Sequence, residues 1–161
     1  YDNGKGSGDS SNWTQLEIQR DSGSWLFTNN TFIGNQLIAR TSNQLCVKWD
    51  SQTNDIDQGG NFDNNVYARP IDDDEVFRIY TGGASADFYN LSQWKTFSGM
   101  DDNSTSSPKS ISSLNDMIFE YNSSNSNLNV NLGGDYIDMS NISYSNNITL
   151  PPYSSKVLLV D

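Results

Sequence analysis

The sequence predicts an all-β fold assembled from many short strands. Aromatic and β-branched residues recur at strand-like spacing between polar residues along the 161-residue chain. Most of these runs end at Asn, Gly, Ser or Asp, residues that favour turns because they tolerate left-handed backbone angles. Long apolar patterns at helical spacing are missing from the sequence. Many short strands at near-regular intervals indicate a β-solenoid, a barrel or a sandwich.

Thirteen strands and one short helix are expected along the chain. The helix is predicted over 91–97, where Leu91, Trp94 and Phe97 recur three apart after Asn90, a residue type suited to an N-cap. The predicted strands are 13–19, 24–28, 31–33, 37–41, 45–49, 62–67, 76–80, 117–121, 128–132, 136–139, 142–144, 147–150 and 156–160.

Two similar segments favour stacked units over the other all-β architectures. The segment 25–32 is echoed by 60–67, which places two Asn-Asn pairs about 35 residues apart. In stacked units an asparagine at one corner can hydrogen-bond its equivalent in the next layer and satisfy backbone groups of the bend. Asn30 and Asn65 are therefore expected at equivalent corners of adjacent layers.

Several phrases of the sequence resemble a known family. Asn29-Asn30-Thr31-Phe32 and the segment 62–67 are similar to the N-N-x-aromatic turns of right-handed parallel β-helix proteins. The segments 89–94 and 98–104 resemble the part that closes such helices in many secreted polysaccharide-acting proteins. This resemblance implies the final coils of a right-handed parallel β-helix, followed by a short capping helix that covers the open edge of the stack.

The C-terminal part resembles a second element of the same proteins. The segments 119–122, 132–138 and 148–159 look like the C-terminal β-strands of bacterial glycoside hydrolases and β-helix enzymes. The resemblance implies a division into β-helix coils with a capping segment, 1–111, and an antiparallel strand cap, 112–161. These segments contain no catalytic motif, so they leave open whether the chain is an enzyme, although the parent implied is a glycoside hydrolase or polysaccharide lyase.

Charge and composition narrow the classes of partner. The chain carries a net charge of −11 and no histidine, which disfavours nucleic acids and anionic membrane surfaces because both are polyanions. No run approaches the roughly 18 apolar residues of a membrane span. The chain starts at Tyr1 without Met or a signal peptide, so we expect a segment of a longer secreted polypeptide that contacts its upstream part. The single cysteine, Cys46, is predicted to be a small buried hydrophobe.

Aromatic side chains are the natural candidates for binding a polysaccharide or oligosaccharide. Sugar rings lay their apolar faces on aromatic rings while polar side chains take the hydroxyls. Trp49 is a candidate platform because Lys48 flanks it, and Tyr67 is a second. Lys48 and Arg69 also adjoin aromatic residues and are candidates to face an acidic sugar; solubilising charges at strand ends are the alternative interpretation.

Calcium is the cofactor that the acidic loops favour. Asp50, Asn54, Asp55 and Asp57 cluster before a Gly-Gly pair, and hard oxygen ligands in a loop suit Ca²⁺. The spacing is not that of an EF-hand. A solvated acidic loop is the alternative interpretation.

The leading functional hypothesis is the C-terminal, non-catalytic portion of a secreted protein that binds or degrades a polysaccharide. An alternative is a self-standing carbohydrate-binding β-sandwich module with an aromatic platform. A third is a structural or adhesive segment without a glycan site. Loss of glycan binding on replacing Trp49 would favour the alternative, because its platform would depend on that indole.

Overall fold

The computed structural model describes residues 13–20 and 30–161 and divides the chain into two compact units, Tyr1–Ser107 and Pro108–Asp161. The predicted strand at 24–28 lies outside the described residues. In the first unit the elements are β1 (Trp13–Arg20), β2 (Asn30–Ile33), β3 (Gln36–Ile38), β4 (Gln44–Ser51), a 3₁₀ turn (Ile56–Gln58), β5 (Gly60–Asp63), β6 (Val66–Ala68), β7 (Phe77–Thr81), β8 (Asp87–Tyr89) and helix α1 (Leu91–Ser98). The second unit holds a 3₁₀ turn (Leu114–Asp116), β9 (Met117–Tyr121), β10 (Leu128–Asp138), β11 (Ser143–Leu150) and β12 (Ser155–Val160).

The prediction of a right-handed parallel β-helix is wrong. The described strands form four small separate sheets, in the orders β1-β4-β7-β8, β11-β10-β12-β9, β2-β5 and β3-β6, rather than a continuous solenoid sheet. The first of these sheets is mixed, because β8 runs antiparallel to β7. Left-handed residues, Gly34 at φ 73° and Asn64 at φ 56°, follow β2 and β5 and end those two strands. Each two-stranded sheet is short as a result.

The internal repeat has a different register from the one that the sequence predicts. Asn30 lies opposite Gly60 in the parallel pair β2-β5, an offset of 30 residues instead of 35. The expected stacking of Asn30 on Asn65 is therefore wrong. Asn35 takes that position, and its backbone N and Nδ2 donate to Oδ1 of Asn65 at 2.9 and 3.1 Å. Asn65 therefore does bond an asparagine, as expected, but that residue is Asn35, five positions after Asn30.

The core of the first unit is largely aromatic. Phe32 stacks on Phe62 with ring centroids 4.4 Å apart, and Phe77 stacks on Trp94 at 5.1 Å. Cys46 is fully buried beside these rings, as predicted, and burial is the main reason that its pKa rises to about 12. The fully or nearly buried members of this core are Ala39, Cys46, Val47, Trp49, Ile56, Phe62, Tyr67, Val76, Phe77, Ile79, Leu91 and Trp94. Stacked and tilted ring pairs replace the aliphatic packing that the composition lacks.

Helix α1 confirms the sequence prediction for this segment. The side chain of Asn90 accepts from the backbone N of Gln93, and Gln93 Oε1 accepts from the backbone N of Asn90, each at 2.9 Å. This reciprocal capping box satisfies donors that the first turn leaves without a helical partner. The helix ends at Gly99, whose φ of 68° permits a left-handed cap.

A buried carboxylate joins the loop after α1 to the parallel strands. Asp101 is almost fully buried and accepts from Trp94 Nε1 at 2.8 Å, from Tyr67 Oη at 3.1 Å and from Asn65 Nδ2 at 3.2 Å. Ser104 Oγ donates to the same carboxylate. Burial, with the Asp101 charge as the next cause, raises the pKa of Tyr67, so its phenol stays a proton donor.

The second unit is an antiparallel sheet with its own apolar cluster. Ile148, Leu150 and Leu158 are its buried members, and the partly buried side chains packed on them are Ile118, Val130, Leu132, Tyr136 and Tyr144. Strand β10 pairs with both β11 and β12, and its register with β11 shifts between Asn131 and Asp135. Strand β9 pairs only with β12 among the described strands, so it forms one edge of the sheet.

A buried carboxylate with a partly exposed lysine partner stabilises the β10-β11 connection. Asp138 accepts from Lys156 Nζ, from Tyr144 Oη at 2.9 Å and from the backbone N of Ile142 at 3.0 Å. Burial alone would raise the pKa of Asp138, but these three donors outweigh it and the net shift is downward. The same contact raises the pKa of Lys156 against the opposing effect of its own burial. Both groups are held charged in the native state.

Candidate functional site

Among the described residues, an open cleft on the first unit is a candidate ligand site. It has a cavity volume of about 200 Å³ and lies between the loop after β4 and the C-terminal end of α1. Its lining residues are Asn54, Ile56, Asp57, Phe97, Ser98 and Met100. That volume is below the roughly 300–1,000 Å³ of typical ligand pockets, so the cleft can accept only a small ligand unit, and its lining is mixed polar and apolar.

One wall of the cleft is a loop organised by the last residue of β4. Ser51 is buried, and its Oγ donates to the carbonyl of Thr53 at 2.6 Å and also contacts the Asp55 carboxylate. Ile56 then inserts its side chain into the core. At Gly59 the backbone passes so close to the Trp49 ring that a Cβ would overlap it. The loop is therefore fixed on both sides of Asn54 and Asp57.

The other wall is the last turn of α1 with the residue that follows its cap. Phe97 is 43% exposed, and its ring stacks on Tyr89 with centroids 5.2 Å apart and an interplanar angle of 22°. Ser98 Oγ donates to the Trp94 carbonyl at 2.8 Å and accepts from the Met100 backbone N at 3.1 Å. The phenyl ring is thus supported from one side and partly open to solvent.

The polar groups of the cleft come from the loop wall. Asn54 and Asp57 are exposed, and the described residues supply no hydrogen-bond or ion-pair partner to either side chain. An amide offers donors and an acceptor, and a carboxylate offers acceptors only. Together with the Phe97 ring and the Met100 side chain, they provide an apolar surface bordered by hydrogen-bonding groups.

Trp49, the predicted platform, lies inside the protein. Its side chain is fully buried, with its ring 5.2 Å from Phe62 and 6.2 Å from Trp94. Along β4, Lys48 and Asp50 are the partly exposed neighbours, so strand alternation turns the indole to the core. The expected exposed ring at Trp49 is therefore absent. Lys48 and Asp50 lie on the outer face of β4, whereas Trp49 lies on its inner face.

The other three predicted sugar-binding residues are held by internal contacts. Tyr67 is buried, with its hydroxyl on Asp101. Arg69 is buried too, and its Nη1 donates to the carbonyls of Ser42 and Gln44 at 3.2 and 3.1 Å. Lys48 pairs with Glu17 at 2.5 Å and with Asp50 at 3.5 Å.

The predicted calcium ligands separate into two groups. Asp50 pairs with Arg78 and Lys48, and Asp55 accepts from Ser51. Asn54 and Asp57 both line the cleft. Within residues 13–20 and 30–161, no three His, Cys, Asp or Glu side chains come together in a way that could hold a metal ion. Calcium binding by these loops stays a prediction.

The charge on the outer face of the mixed sheet is a cross-strand network. Glu17, Lys48 and Arg78 occupy adjacent positions on β1, β4 and β7, and Asp50 contacts both cations. The hydrogen bond from Lys48 to Glu17 is the main cause that raises the lysine pKa. These groups neutralise one another, so the face presents paired charges more than a cationic patch.

Phe97 is the site residue that sequence reasoning missed as a binding group. Leu91, Trp94 and Phe97 recur every three residues, while an α-helix turns once in about 3.6 residues. Phe97 therefore rotates progressively away from the buried stripe that Leu91 and Trp94 define, and it emerges at the edge. This three-residue spacing is the sequence signal that could have predicted an exposed Phe97.

Comparison with protein-family models, with curated proteins and with solved structures gave no match to this chain. In the part of the chain that the structure describes, no helix has the length and apolarity to cross a membrane.

Proposed function

We propose that this chain is a saccharide-binding portion of a secreted polysaccharide-binding or polysaccharide-degrading protein, and that the cleft bordered by Phe97 binds a neutral sugar unit. The observation that carries the proposal is the half-open Phe97 ring in one cleft with the exposed polar side chains of Asn54 and Asp57, to which residues 13–20 and 30–161 supply no partner. An aromatic face with nearby amide and carboxylate groups is the arrangement that recognises a sugar ring.

The charge of the cleft selects among sugars. Asp57 lines it, and the chain as a whole carries −11. An acidic sugar would be repelled by the Asp57 carboxylate and by the net negative charge of the chain. A neutral sugar would instead donate hydrogen bonds from its hydroxyl groups to the carboxylate. We therefore assign the site to neutral saccharides and not to polyuronates.

Isothermal titration calorimetry with neutral hexasaccharides tests the proposal. The probes are cellohexaose, xylohexaose, mannohexaose, maltohexaose and chitohexaose. One of them is expected to bind the intact chain, and Phe97→Leu should weaken that binding about tenfold, because leucine fills the apolar position without offering a flat ring face. Asp57→Ala should also weaken binding, through loss of a hydroxyl acceptor.

Phe88→Leu is the matched control for the aromatic substitution. Phe88 is 38% exposed and lies on β8 opposite Arg78, outside the cleft lining. Its replacement should leave the affinity unchanged. Equal losses for Phe88→Leu and Phe97→Leu, or no heat from any hexasaccharide, would contradict the assignment of the cleft.

The other hypotheses lack a supporting observation of this kind. The β-sandwich alternative relied on Trp49 as its platform, and that side chain is fully buried. Calcium binding can be tested separately from saccharide binding. Asn54 and Asp57 alone give too few ligands for an ion that takes six to eight oxygens. Calorimetry with CaCl₂ tests it directly, and the saccharide proposal requires no calcium.

A further inference from the structure

The second unit carries a pair of exposed aromatic rings on its edge strand β9. Phe119 is 40% exposed and Tyr121 is 62% exposed. Their centroids are 6.2 Å apart and their planes differ by 18°, so the two rings lie in nearly parallel planes. Strand alternation places both on the face opposite to Ile118, which packs on the apolar cluster of the sheet.

The exposed apolar area of this ring pair is small and sharply bounded. Val157, the cross-strand partner of Phe119, is buried, and Ser155, the partner of Tyr121, is exposed and polar. At about 150–250 Å² for each aromatic side chain, the exposed parts of the two rings amount to roughly 200 Å². A stable protein interface needs about 800 Å² from each partner. The pair is therefore too small to support such an interface and matches a small, flat ligand.

We propose that Phe119 and Tyr121 form a second saccharide-binding site, on which successive rings of a neutral polysaccharide stack. Two exposed rings with centroids 6.2 Å apart are close enough to contact neighbouring units of one extended sugar chain. Ser155 supplies a hydroxyl next to Tyr121 for the polar edge of a sugar. The second unit has five acidic and two basic residues, so it also disfavours an acidic polymer.

This inference takes its ligand class from the proposed function, but it uses none of the cleft residues. The two sites can be distinguished by fluorescence, because all four tryptophans lie in the first unit and none lies in residues 108–161. A ligand in the cleft should alter tryptophan emission through Phe97, whose ring is 6.2 Å from Trp94. A ligand on Phe119 and Tyr121 has no tryptophan of its own unit to perturb.

The experiment measures retention of the intact chain on insoluble cellulose, xylan, mannan, starch and chitin. Tyr121→Ala is expected to reduce retention about tenfold, while leaving the tryptophan fluorescence titration with the matching hexasaccharide unchanged. Tyr121→Phe should retain wild-type binding because it keeps the ring face. Tyr153→Ala, which removes a tyrosine 74% exposed on a turn of the same unit, is the matched control and should have no effect.

Each outcome separates this proposal from the one for the cleft. If Phe97→Leu loses retention while Tyr121→Ala does not, the second site is refuted and the cleft stands. If Tyr121→Ala loses retention while Phe97→Leu binds the hexasaccharide as the wild type does, the cleft is refuted and the second site stands. Failure of the wild-type chain to bind any of the polymers overturns the second site, and absence of heat with every hexasaccharide overturns the cleft. A change in the mass measured by light scattering on Tyr121→Ala, with retention unchanged, would instead identify a self-association contact.

Discussion

Asp101 shows how a single side chain can determine the structure around a loop. Four neutral donors, from Asn65, Tyr67, Trp94 and Ser104, converge on its carboxylate in the interior. A buried charge is costly unless hydrogen bonds compensate it, and here the compensation comes from side chains in one strand, a helix and two loops. The residue types are visible in the sequence. Their convergence is not, because they are up to 39 positions apart.

Replacing Asp101 with Asn should lower the free energy of unfolding by about 2 kcal/mol. The amide turns one acceptor into a donor that faces the O–H and N–H groups already present, so at least one buried donor loses its partner. Urea denaturation measures the change. Asp102→Asn, at the exposed neighbouring position, is the control and should change stability by less than about 0.5 kcal/mol. Equal effects at the two positions would refute this role for Asp101.

Asp138 should make stability depend on acid pH. Lys156, Ile142 and Tyr144 donate to it and hold its pKa below the ordinary value despite its burial. The unfolded chain therefore binds the proton at a higher pH than the native chain, so the stabilisation is complete above about pH 4 and is lost as pH falls through the native pKa. Urea midpoints of wild type and Asp138→Asn between neutral and acid pH should converge on acidification. A constant difference across that range would count against the ion pair.

Single elements were predicted well where one local signal sufficed. The Asn90 cap and the Leu91–Trp94 spacing located α1 to within one residue, and β9 was predicted with its observed bounds, Met117–Tyr121. Strands whose ends depend on a turn were harder to predict from the sequence. The predicted strand 62–67 is divided into β5 and β6 by left-handed Asn64, because an asparagine in an Asn-rich run gives no sign of its backbone angle. Strand β8, three residues long, was missed.

Gly34 and Asn64 occupy equivalent left-handed positions, 30 residues apart, at the ends of β2 and β5. Gly34→Asn should therefore be tolerated, with a change in stability below about 0.5 kcal/mol. Gly34→Val should cost about 1–2 kcal/mol, because a β-branched residue resists positive φ. No atom lies within 4 Å of the added Cβ, so any loss reports backbone strain and not a clash. Thermal denaturation compares the two variants, and equal stability of both would contradict the shared turn.

At the scale of the whole chain, pairing register was the main feature that sequence could not provide. An Asn-Asn echo at 35 residues suggested one alignment, whereas the Phe32–Phe62 stack and the Asn35–Asn65 hydrogen bonds set an offset of 30. Asparagine is so frequent in this sequence that several pairing registers of the strands look equally good. Side-chain packing determines which register forms. The family resemblance led to the β-helix prediction, which is wrong. The charged neighbours Lys48 and Asp50 suggested an exposed Trp49, whose side chain is buried.

Under the proposed function, both units belong to one saccharide-binding chain. Aromatic residues serve two roles in it: most fill a core poor in aliphatic side chains, and a few at element ends or on an edge strand stay exposed. Phe97 owes its exposure to helical drift, and Tyr121 owes its exposure to strand alternation at a sheet edge. Exposure, and not residue type alone, distinguishes the candidate binding rings from the structural ones.

The most direct test of the cleft is a ¹⁵N-resolved NMR titration with the hexasaccharide that binds most tightly in calorimetry. The account predicts chemical-shift changes concentrated at residues 54–58 and 97–100, together with the indole N–H of Trp94, whose ring adjoins Phe97. No change at these positions up to about 10 mM sugar, where even a millimolar site is mostly filled, would contradict it.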